Sequence, residues 1–386
     1  MNRAVATFAA GAAALALAAV PAAAEAPKLP KSMVWTAYDL GSTGYAEASG
    51  IANAFQNRYG TRVRIIPSGT SIGRLLPVTT GKAIYGFLAN GAYFAAEGTY
   101  DFAVPEWGPQ DIRIVIGRVA TVGFAVAADI GVKEIADLKG KRIGFVKGNP
   151  SVNVKNEAYL AFGGLTKDDI QPVWFGSYGA MKTAVIAGQL DAFGSATTSA
   201  NMREIEASPR GLTWPNYWPE NKEGWAAMTK VISFAEPRKE TVGAALSEEN
   251  PAWLVGFRYP MVKTYARTSA DEAYAMLAAM EEIYDDYKNT TGASKNWEVK
   301  LSARPAYDAP AHEGTVRYMK EKGYWRAEDQ EWQDKRLARL NAVIEGWDAA
   351  RASFEEMRAD KAAKGEKLSD EDWVAYWNDF RAKNLN

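Results

Sequence analysis

The sequence contains no cysteine and a single histidine, His312. The first absence excludes disulfides, thiol catalysis and thiolate metal sites, and the second excludes a metal site built from several histidines. A serine–histidine hydrolase would have to use His312, which lies at a polar helix start far along the chain from the serine-bearing turns. We therefore predict a protein that is not an enzyme and uses no cofactor or metal, with an exported hydrolase as the weaker alternative.

The chain also lacks a strong excess of either charge, since its net charge is −1. A balanced charge does not indicate the strongly basic surface that is typical of nucleic-acid-binding proteins. The 386 residues, of which 47% are hydrophobic, are enough for two or more domains with their own cores.

No apolar run is long enough for a stable membrane span, but the first residues resemble a secretory signal. Arg3 supplies a positive start, residues 9–20 form a short apolar core, and residues 22–24 are small alanines that suit a cleavage site. We predict cleavage near Ala24 and a periplasmic protein that begins at Glu25. An uncleaved amphipathic anchor is the alternative, although the segment has no charged face.

The stretch from Met33 to Phe55 predicts a strand, a glycine turn and a helix. The turn reads Gly41-Ser42-Thr43-Gly44, and apolar residues at helical spacing follow it. The first amides of a helix have no partner within it, so such a turn can hold an anionic group. Taken alone, the same pattern is typical of an ordinary α/β connection.

Two further strand ends have the same character. Residues 62–67 run into the hydroxyl-rich turn of residues 68–74, and residues 84–88 run into a turn at Asn90. In open α/β sheets, ligands sit outside the carboxyl ends of the strands. Three such ends within about sixty residues favour a shared cleft over three unrelated turns.

The pattern repeats in the second part of the chain, after strands predicted at residues 112–116 and 122–127. Small polar turns follow at residues 149–153, at Ser177 with Tyr178, and at Thr197 with Thr198. We predict two α/β lobes that face each other across a cleft.

The order of these motifs resembles the substrate-binding proteins of tripartite ATP-independent periplasmic (TRAP) transporters, specifically the TAXI branch. The resemblance covers roughly residues 32–325 and is carried by GSTGYAEASGIANAF (41–55), SGTSIGRLLPVTTGKAIYGFLANGAYFAAEG (68–98), GVKEIADLKGKRIGF (131–145), SYGAMKTAVIAGQLDAF (177–193) and AHEGTVRYMKEKGYW (311–325).

This resemblance implies a two-lobed periplasmic binding protein fold of type II, with a hinge and an inter-lobe cleft. It also implies that the protein binds a small carboxylate, such as glutamate or 2-oxoglutarate, and presents it to TRAP permease subunits. It places ligand contacts at Ser42, Thr43, Gly44, Tyr45, Ser68, Thr70, Ser71, Asn90, Tyr93, Asn149, Ser151, Asn153, Ser177, Tyr178, Thr197 and Thr198. Arg74 and Lys147 sit beside these turns, and we predict that one of them pairs with the carboxylate. A binding protein for an ABC importer, which shares the fold, is the alternative.

We predict lobe I from residues 25–118 and 232–324, and lobe II from residues 119–231. The remaining residues, 325–386, form a helical extension. A helix is predicted over residues 331–357 and a second one from Ser369, and both carry large aromatic residues. The extension is expected either to pack back on the lobes or to form a homodimer or permease-docking element.

Overall fold

The structure is a computed structural model that describes residues 27–385, so the predicted signal peptide lies outside the described residues. Within that range ten strands form one mixed sheet. No helix in residues 27–385 is long and apolar enough to cross a membrane. The strands are β1 Ser32–Ala37, β2 Arg62–Pro67, β3 Tyr85–Leu88, β4 Ile112–Ala127, β5 Arg142–Val146, β6 Gln171–Phe175, β7 Ala192–Ala196, β8 Leu212–Thr213, β9 Glu236–Glu240 and β10 Ala252–Tyr265.

Helices cover both faces of this sheet and connect most of its strands. The first begins where Ser42 Oγ accepts the backbone N–H of Tyr45 at 3.2 Å, and it ends at Gly60 in the left-handed region. The helices are α1 Thr43–Tyr59, α2 Ser71–Thr79, α3 Gly91–Glu97, α4 Pro150–Phe162, α5 Tyr178–Ile186, α6 Ala200–Glu206, α7 Lys222–Val231, α8 Ala270–Glu282, α9 Tyr284–Tyr287, α10 Val299–Ser302, α11 Glu313–Glu321, α12 Ala327–Ala363 and α13 Asp370–Asn384.

The sheet has two halves that share two long strands. The order is β2-β1-β3-β10-β4-β7-β5-β6, with β8 beside β4 and β9 beside β10. Strands β1, β2 and β3 are parallel to one another at one end, and β5, β6 and β7 are parallel at the other. Strands β4 and β10 are antiparallel and extend from one half into the other. The predicted α/β class with two lobes and extra C-terminal helices is confirmed.

The prediction of two separate strands at residues 112–116 and 122–127 is wrong, because both segments belong to strand β4. It is one strand of 16 residues, because the intervening positions also pair with β10. In the sequence, Arg118 interrupts the apolar pattern that would otherwise predict one continuous strand. Its charged side chain is buried, and Nε donates to Glu47 Oε2 at 2.9 Å, so a charge stands where an apolar residue would be expected.

Two apolar cores support the sheet. One joins Trp35, Phe55 and Phe87 to helix α8, and the other extends from Leu75 and Phe94 of α2 and α3 to Phe145, Phe193 and helix α4. The predicted lobe boundaries remain a prediction, and the one at residues 118/119 falls inside β4. A division inside a continuous strand is what a shared hinge strand would require.

The C-terminal helices pack back on the lobe that contains α3. The Nε1 atoms of Trp373 and Trp377 donate to the backbone oxygens of Ala103 and Gly98 at 2.9 and 2.6 Å. Buried Glu97 accepts from Arg339 and Arg381 of the two helices. The apolar seam of the extension is therefore covered from within the chain, and the predicted homodimer remains a prediction.

Candidate functional site

A narrow cleft with a volume of about 50 Å³ lies between the two halves of the sheet. Both halves and both long strands contribute to its walls. The lining comprises Tyr38, Asp39, Ser42, Arg74 and Ala89 from one half, Asn149, Ser151, Val152, Lys155, Asn156, Tyr159, Tyr178, Gly194, Ser195 and Ala196 from the other, and Val122 and Tyr259 from β4 and β10.

Three turns bring most of these residues together. Tyr38 and Asp39 follow directly after β1, and Arg74 lies in the first turn of α2. Helix α4 begins beyond the end of β5 and turns one face to the cleft, since Ser151, Lys155 and Asn156 recur at helical spacing. The N-terminus of α4 also directs the positive end of its dipole toward this region.

Arg74 is a buried cation with no ion-pair partner among residues 27–385. Its side chain is 3% exposed, Nη1 donates to the backbone oxygen of Ser68 at 2.9 Å, and Nη2 reaches Ser71 Oγ at 3.4 Å. The guanidinium carbon lies 4.4 Å from the centre of the Tyr38 ring, and Nε has no hydrogen-bond partner. Burial lowers the pKa of Arg74 from its usual range.

Lys155 is a second buried cation, on the opposite wall. It is 7% exposed, and Nζ lies 4.8 Å from the ring centre of Phe257 and 5.3 Å from that of Tyr259. Within the described chain no carboxylate forms an ion pair with Nζ. Burial, together with the positive charge of Arg74, lowers the pKa of Lys155 to about 7.

The two cations are connected by aromatic rings. Tyr38 lies under Arg74, Tyr259 lies beside Lys155, and the centres of the two tyrosine rings are 5.3 Å apart in an edge-on arrangement. Ring faces attract cations, so this pair of rings holds both charges at one end of the cleft. The arrangement provides a positive region surrounded by apolar surface, which suits an anionic ligand.

Hydrogen bonds join the two lobes around the cleft. Ser71 Oγ donates to Asn149 Oδ1 at 2.7 Å, and Asn149 Nδ2 donates to the backbone oxygen of Gly69 at 3.2 Å. The backbone N–H of Gly179 donates to Asp39 Oδ2 at 3.1 Å. These contacts link α2 and the turn after β1 to α4 and α5, so the structure represents the closed arrangement of the lobes.

Of the eighteen residues predicted as ligand contacts, five line the cleft: Ser42, Arg74, Asn149, Ser151 and Tyr178. Several others shape it without lining it. Gly44 has no room for a side chain, because a Cβ there would come within 2.3 Å of the Tyr38 ring. Ser71 joins the lobes, Ser68 presents its backbone oxygen to Arg74, and Thr70 caps α2 by accepting the N–H of Gly73 at 3.0 Å.

The remaining predicted residues contact other parts of the chain. Thr43 and Thr198 bond to each other at 3.2 Å and line a separate groove with Tyr45. Asn90 Nδ2 donates to Asp308 at 3.3 Å, Tyr93 packs on Phe234, and Asn153 bonds to the backbone of Val146. Thr197 Oγ1 donates to the backbone oxygen of Val242 at 2.8 Å, Ser177 precedes α5 as its cap residue, and Lys147 is exposed.

Sequence reasoning missed the cleft residues Tyr38, Asp39, Lys155, Asn156 and Tyr259. The first two directly follow a predicted strand, where a site was already expected. Lys155 and Asn156 lie one helical turn beyond the turn at residues 149–153, so the helical spacing from Ser151 could have identified them. Tyr259 gave no local signal, because the path of β10 brings it to the cleft.

For the hydrolase alternative, residues 27–385 contain a serine in a suitable turn, but that serine does not contact the histidine that would have to act as its base. Residues 69–73 do fit the pattern Gly-x-Ser-x-Gly between a strand and a helix, which the sequence reasoning overlooked. However, Ser71 Oγ contacts Asn149 and Arg74, whereas His312 caps α11: its Nδ1 accepts the N–H of Gly314 and its Nε2 bonds the backbone oxygen of Thr268. Within residues 27–385 these two groups form no catalytic pair.

A model of the NMT1-like family matches residues 39–323, from the first cleft turn to the end of α11. The chain belongs to the NMT1-like family. The helical extension lies beyond the matched region. The narrower TAXI assignment remains a prediction, and no curated protein matches the chain.

Solved structures of three proteins resemble this NMT1-like protein over most of their length. They are the alkanesulfonate-binding protein SsuA from Xanthomonas axonopodis pv. citri bound to MOPS (15% identity, 80% of this chain and 85% of that chain, TM-score 0.40), the periplasmic aliphatic sulphonate binding protein SsuA from Escherichia coli (16%, 80% and 79%, TM-score 0.41), and an ancestral arginine-binding protein bound to glutamine (12%, 70% and 100%, TM-score 0.41). At these scores the likeness carries no argument about the ligand.

Proposed function

We propose that this protein is a periplasmic solute-binding protein that captures a small organic anion in the closed cleft. The observation that carries the proposal is the presence of Arg74 and Lys155, two buried cations from opposite lobes that form no ion pair with a carboxylate in residues 27–385. An unpaired buried charge is unfavourable by several kcal/mol. An anion between the two cations would offset that cost and draw the lobes together.

A carboxylate suits the donors that the cleft offers. The backbone oxygen of Ser68 and the hydroxyl of Ser71 hold two nitrogens of Arg74, so the guanidinium is fixed before the ligand arrives. Arg74 and Ser151 both line the cleft, and Nε of Arg74 and the hydroxyl of Ser151 have no hydrogen-bond partner among residues 27–385. Glutamate, 2-oxoglutarate and related dicarboxylates are the ligands that the TAXI resemblance supports.

We propose further that the protein delivers this ligand to a TRAP-type permease, on the strength of that resemblance. The alternative is an ABC importer, whose binding proteins share the fold. The genes beside the coding sequence distinguish the two. A gene for a fused multi-span permease would support the TRAP assignment, and a gene for a transport ATPase would contradict it.

Calorimetry and thermal melting of residues 25–386 test the anion proposal. The panel contains C4–C6 dicarboxylates, amino acids, alkanesulfonates and neutral sugars. A ligand at a hundredfold excess over its Kd stabilises the fold by about 2.7 kcal/mol, which melting readily detects. We expect a response to one or more acids and none to sugars. A response to a neutral sugar alone would overturn the proposal.

A further inference from the structure

The cleft holds one buried oxygen that a simple carboxylate would leave without a partner. Asn156 lines the cleft and is 0% exposed. Its Nδ2 donates to the backbone oxygen of Gly144 at 2.8 Å, which fixes the orientation of the amide. Its Oδ1 has no hydrogen-bond partner among residues 27–385. Buried acceptors in proteins nearly always receive a hydrogen bond.

The neighbouring glycine keeps this oxygen open. A Cβ at Gly194, which also lines the cleft, would come within 2.4 Å of Asn156 Oδ1. A glycine within a strand often marks the close approach of a ligand or another backbone. Gly194 lies in β7, and without a Cβ it leaves the space that Asn156 Oδ1 occupies beside the cleft.

The cleft therefore presents two kinds of partner to a ligand. The partnerless groups of Tyr38, Arg74 and Ser151 can donate hydrogen bonds, as can Lys155, and an anionic group can accept them. Asn156 Oδ1 can only accept. A ligand that satisfies both sets carries an anionic group and a hydrogen-bond donor.

Charge decides which kind of donor fits. The cleft already holds two buried cations, Arg74 and Lys155, so an ammonium group of the ligand would add a third positive charge to it. The carboxylate in the lining, Asp39, already accepts the N–H groups of Leu40 at 3.2 Å and Gly179 at 3.1 Å. A neutral donor avoids the repulsion.

We propose, on the basis of the proposed anion-binding function, that the ligand is a hydroxycarboxylate and that Asn156 recognises its hydroxyl group. A site built to bond a hydroxyl rejects the analogue without it, because the buried acceptor then stays unpaired. The carboxylate binds at the Arg74 end, and the hydroxyl binds at Asn156.

Calorimetry on residues 25–386 with matched acids tests this assignment. The pairs are malate with succinate, 2-hydroxyglutarate with glutarate, and lactate with propionate, and aspartate, glutamate and alanine are the amino counterparts. For at least one set we expect the hydroxy acid to bind at least tenfold more tightly than both its deoxy and its amino counterparts. Equal binding of the hydroxy and deoxy acids, or tightest binding of an amino acid, overturns the inference and leaves the anion proposal intact. Binding of no acid overturns both.

Two variants add a test at the residue itself. Asn156→Leu and Gly194→Ala should lower the ratio of hydroxy to deoxy affinity toward one. Asn221→Ala, which removes the N-cap of α7 away from the cleft, is the matched control and should keep the ratio. An unchanged ratio in both cleft variants contradicts the role of Asn156. If neither variant folds, the ratios of the unaltered protein decide.

Discussion

Ser71 Oγ donates to Asn149 Oδ1 at 2.7 Å and so joins the first turn of α2 in one lobe to the cap of α4 in the other. Both residues are buried, and both were predicted to contact the ligand. Asn149 lines the cleft, but the side chains also bond to each other, so they stabilise the closed arrangement itself. If the cleft binds the proposed anion, we expect its affinity to depend on residues that stabilise closure as well as on those that contact the anion.

The first prediction concerns this contact. Ser71→Ala removes one hydrogen bond of the closed form, and we expect it to weaken ligand binding by about 1 kcal/mol, or roughly fivefold. Calorimetry measures the affinity, and small-angle scattering measures closure upon ligand addition. Thr80→Ala, which removes a hydroxyl at the far end of α2, is the control. Equal affinities for Ser71→Ala and the unaltered protein would show that the contact does not stabilise closure.

The second prediction is that Arg74 binds the anion. Arg74→Ala should weaken binding by on the order of 2 kcal/mol, about thirtyfold, and Arg74→Lys should restore only part of it because an ammonium lacks the planar fork. Arg203→Ala removes an exposed arginine that pairs with Glu206 and should bind as the unaltered protein does. Unchanged affinity in Arg74→Ala would remove this residue from the site.

The third prediction is a pH dependence that arises from Lys155. Burial lowers its pKa to about 7, whereas an unfolded lysine has a pKa of about 10.4. Between these values the unfolded chain binds more protons, so the stability of the unliganded protein should rise with pH from about 7 toward 10. An anion favours the charged form of Lys155, so affinity should fall as the pH rises above 7.

Thermal melting and calorimetry as functions of pH check both slopes. Lys155→Met has no titrating group at this position, so it should lose both slopes while keeping the packing of a long side chain. Calorimetry in buffers of different ionisation enthalpy should also show proton uptake upon binding to the unaltered protein above pH 7. If Lys155→Met keeps the same pH dependence of affinity, another group is responsible.

The fourth prediction concerns the attachment of the C-terminal helices. Glu97 is 4% exposed and pairs with Arg336, Arg339 and Arg381 at 3.4, 2.7 and 3.0 Å. Burial alone would raise the pKa of Glu97, but the hydrogen bond from Arg339 and the three positive charges lower it. Glu97→Gln should destabilise the fold by about 1 to 3 kcal/mol, after allowance for partial exposure of the arginines.

Because the pKa of Glu97 is lower in the folded chain, its contribution is present above the unfolded value and is lost as the pH falls through the folded value. Urea unfolding at neutral and acidic pH measures the difference between Glu97→Gln and the unaltered protein. We expect the difference in the free energy of unfolding between the two proteins to be smaller at acidic pH. Glu331→Gln, in an exposed pair with Lys335, is the control and should change stability little. A difference that persists in acid would show that charge is not the cause.

The fifth prediction is the mass in solution. Because the aromatic seam of α12 and α13 packs on Ala103 and on itself, we expect light scattering to give the mass of one chain. A mass of two chains that falls to one upon truncation after Tyr324 would instead support the homodimer through the extension.

Much of the fold follows from local sequence signals. The turns predicted at residues 41–44 and 68–74 lie between a strand and a helix as expected, although the helices begin inside them, at Thr43 and Ser71. The turn predicted at residues 149–153 is wrong beyond Asn149, because α4 begins at Pro150. Ser369 caps its helix as expected from Ser369-Asp370-Glu371-Asp372. The helix predicted over residues 331–357 extends over Ala327–Ala363, because helix ends depend on contacts such as the one between Asp329 and Arg304. The predicted helix is therefore present and differs from the observed one only in where it begins and ends.

The site was harder to predict, for a physical reason. A turn with small polar residues suits a ligand and suits the opposite lobe equally well, and Thr43 and Thr198 bond across the interface instead of lining the cleft. Lys155 resembles a surface lysine in sequence, and only its position between the rings of Phe257 and Tyr259 shows that it is buried. Whether a lysine is buried depends on tertiary contacts that the sequence does not show. Lys147, which was predicted to pair with the carboxylate, is exposed, whereas Lys155, which was not predicted, is buried.

Strands β4 and β10 continue from one lobe into the other, and each contributes one side chain to the cleft, Val122 and Tyr259. Any rotation of the lobes therefore changes backbone torsions next to the cleft itself. A permease that drew the lobes apart would distort this wall of the cleft in the same movement. Opening and loss of affinity would then be one mechanical event, and release would need no separate trigger.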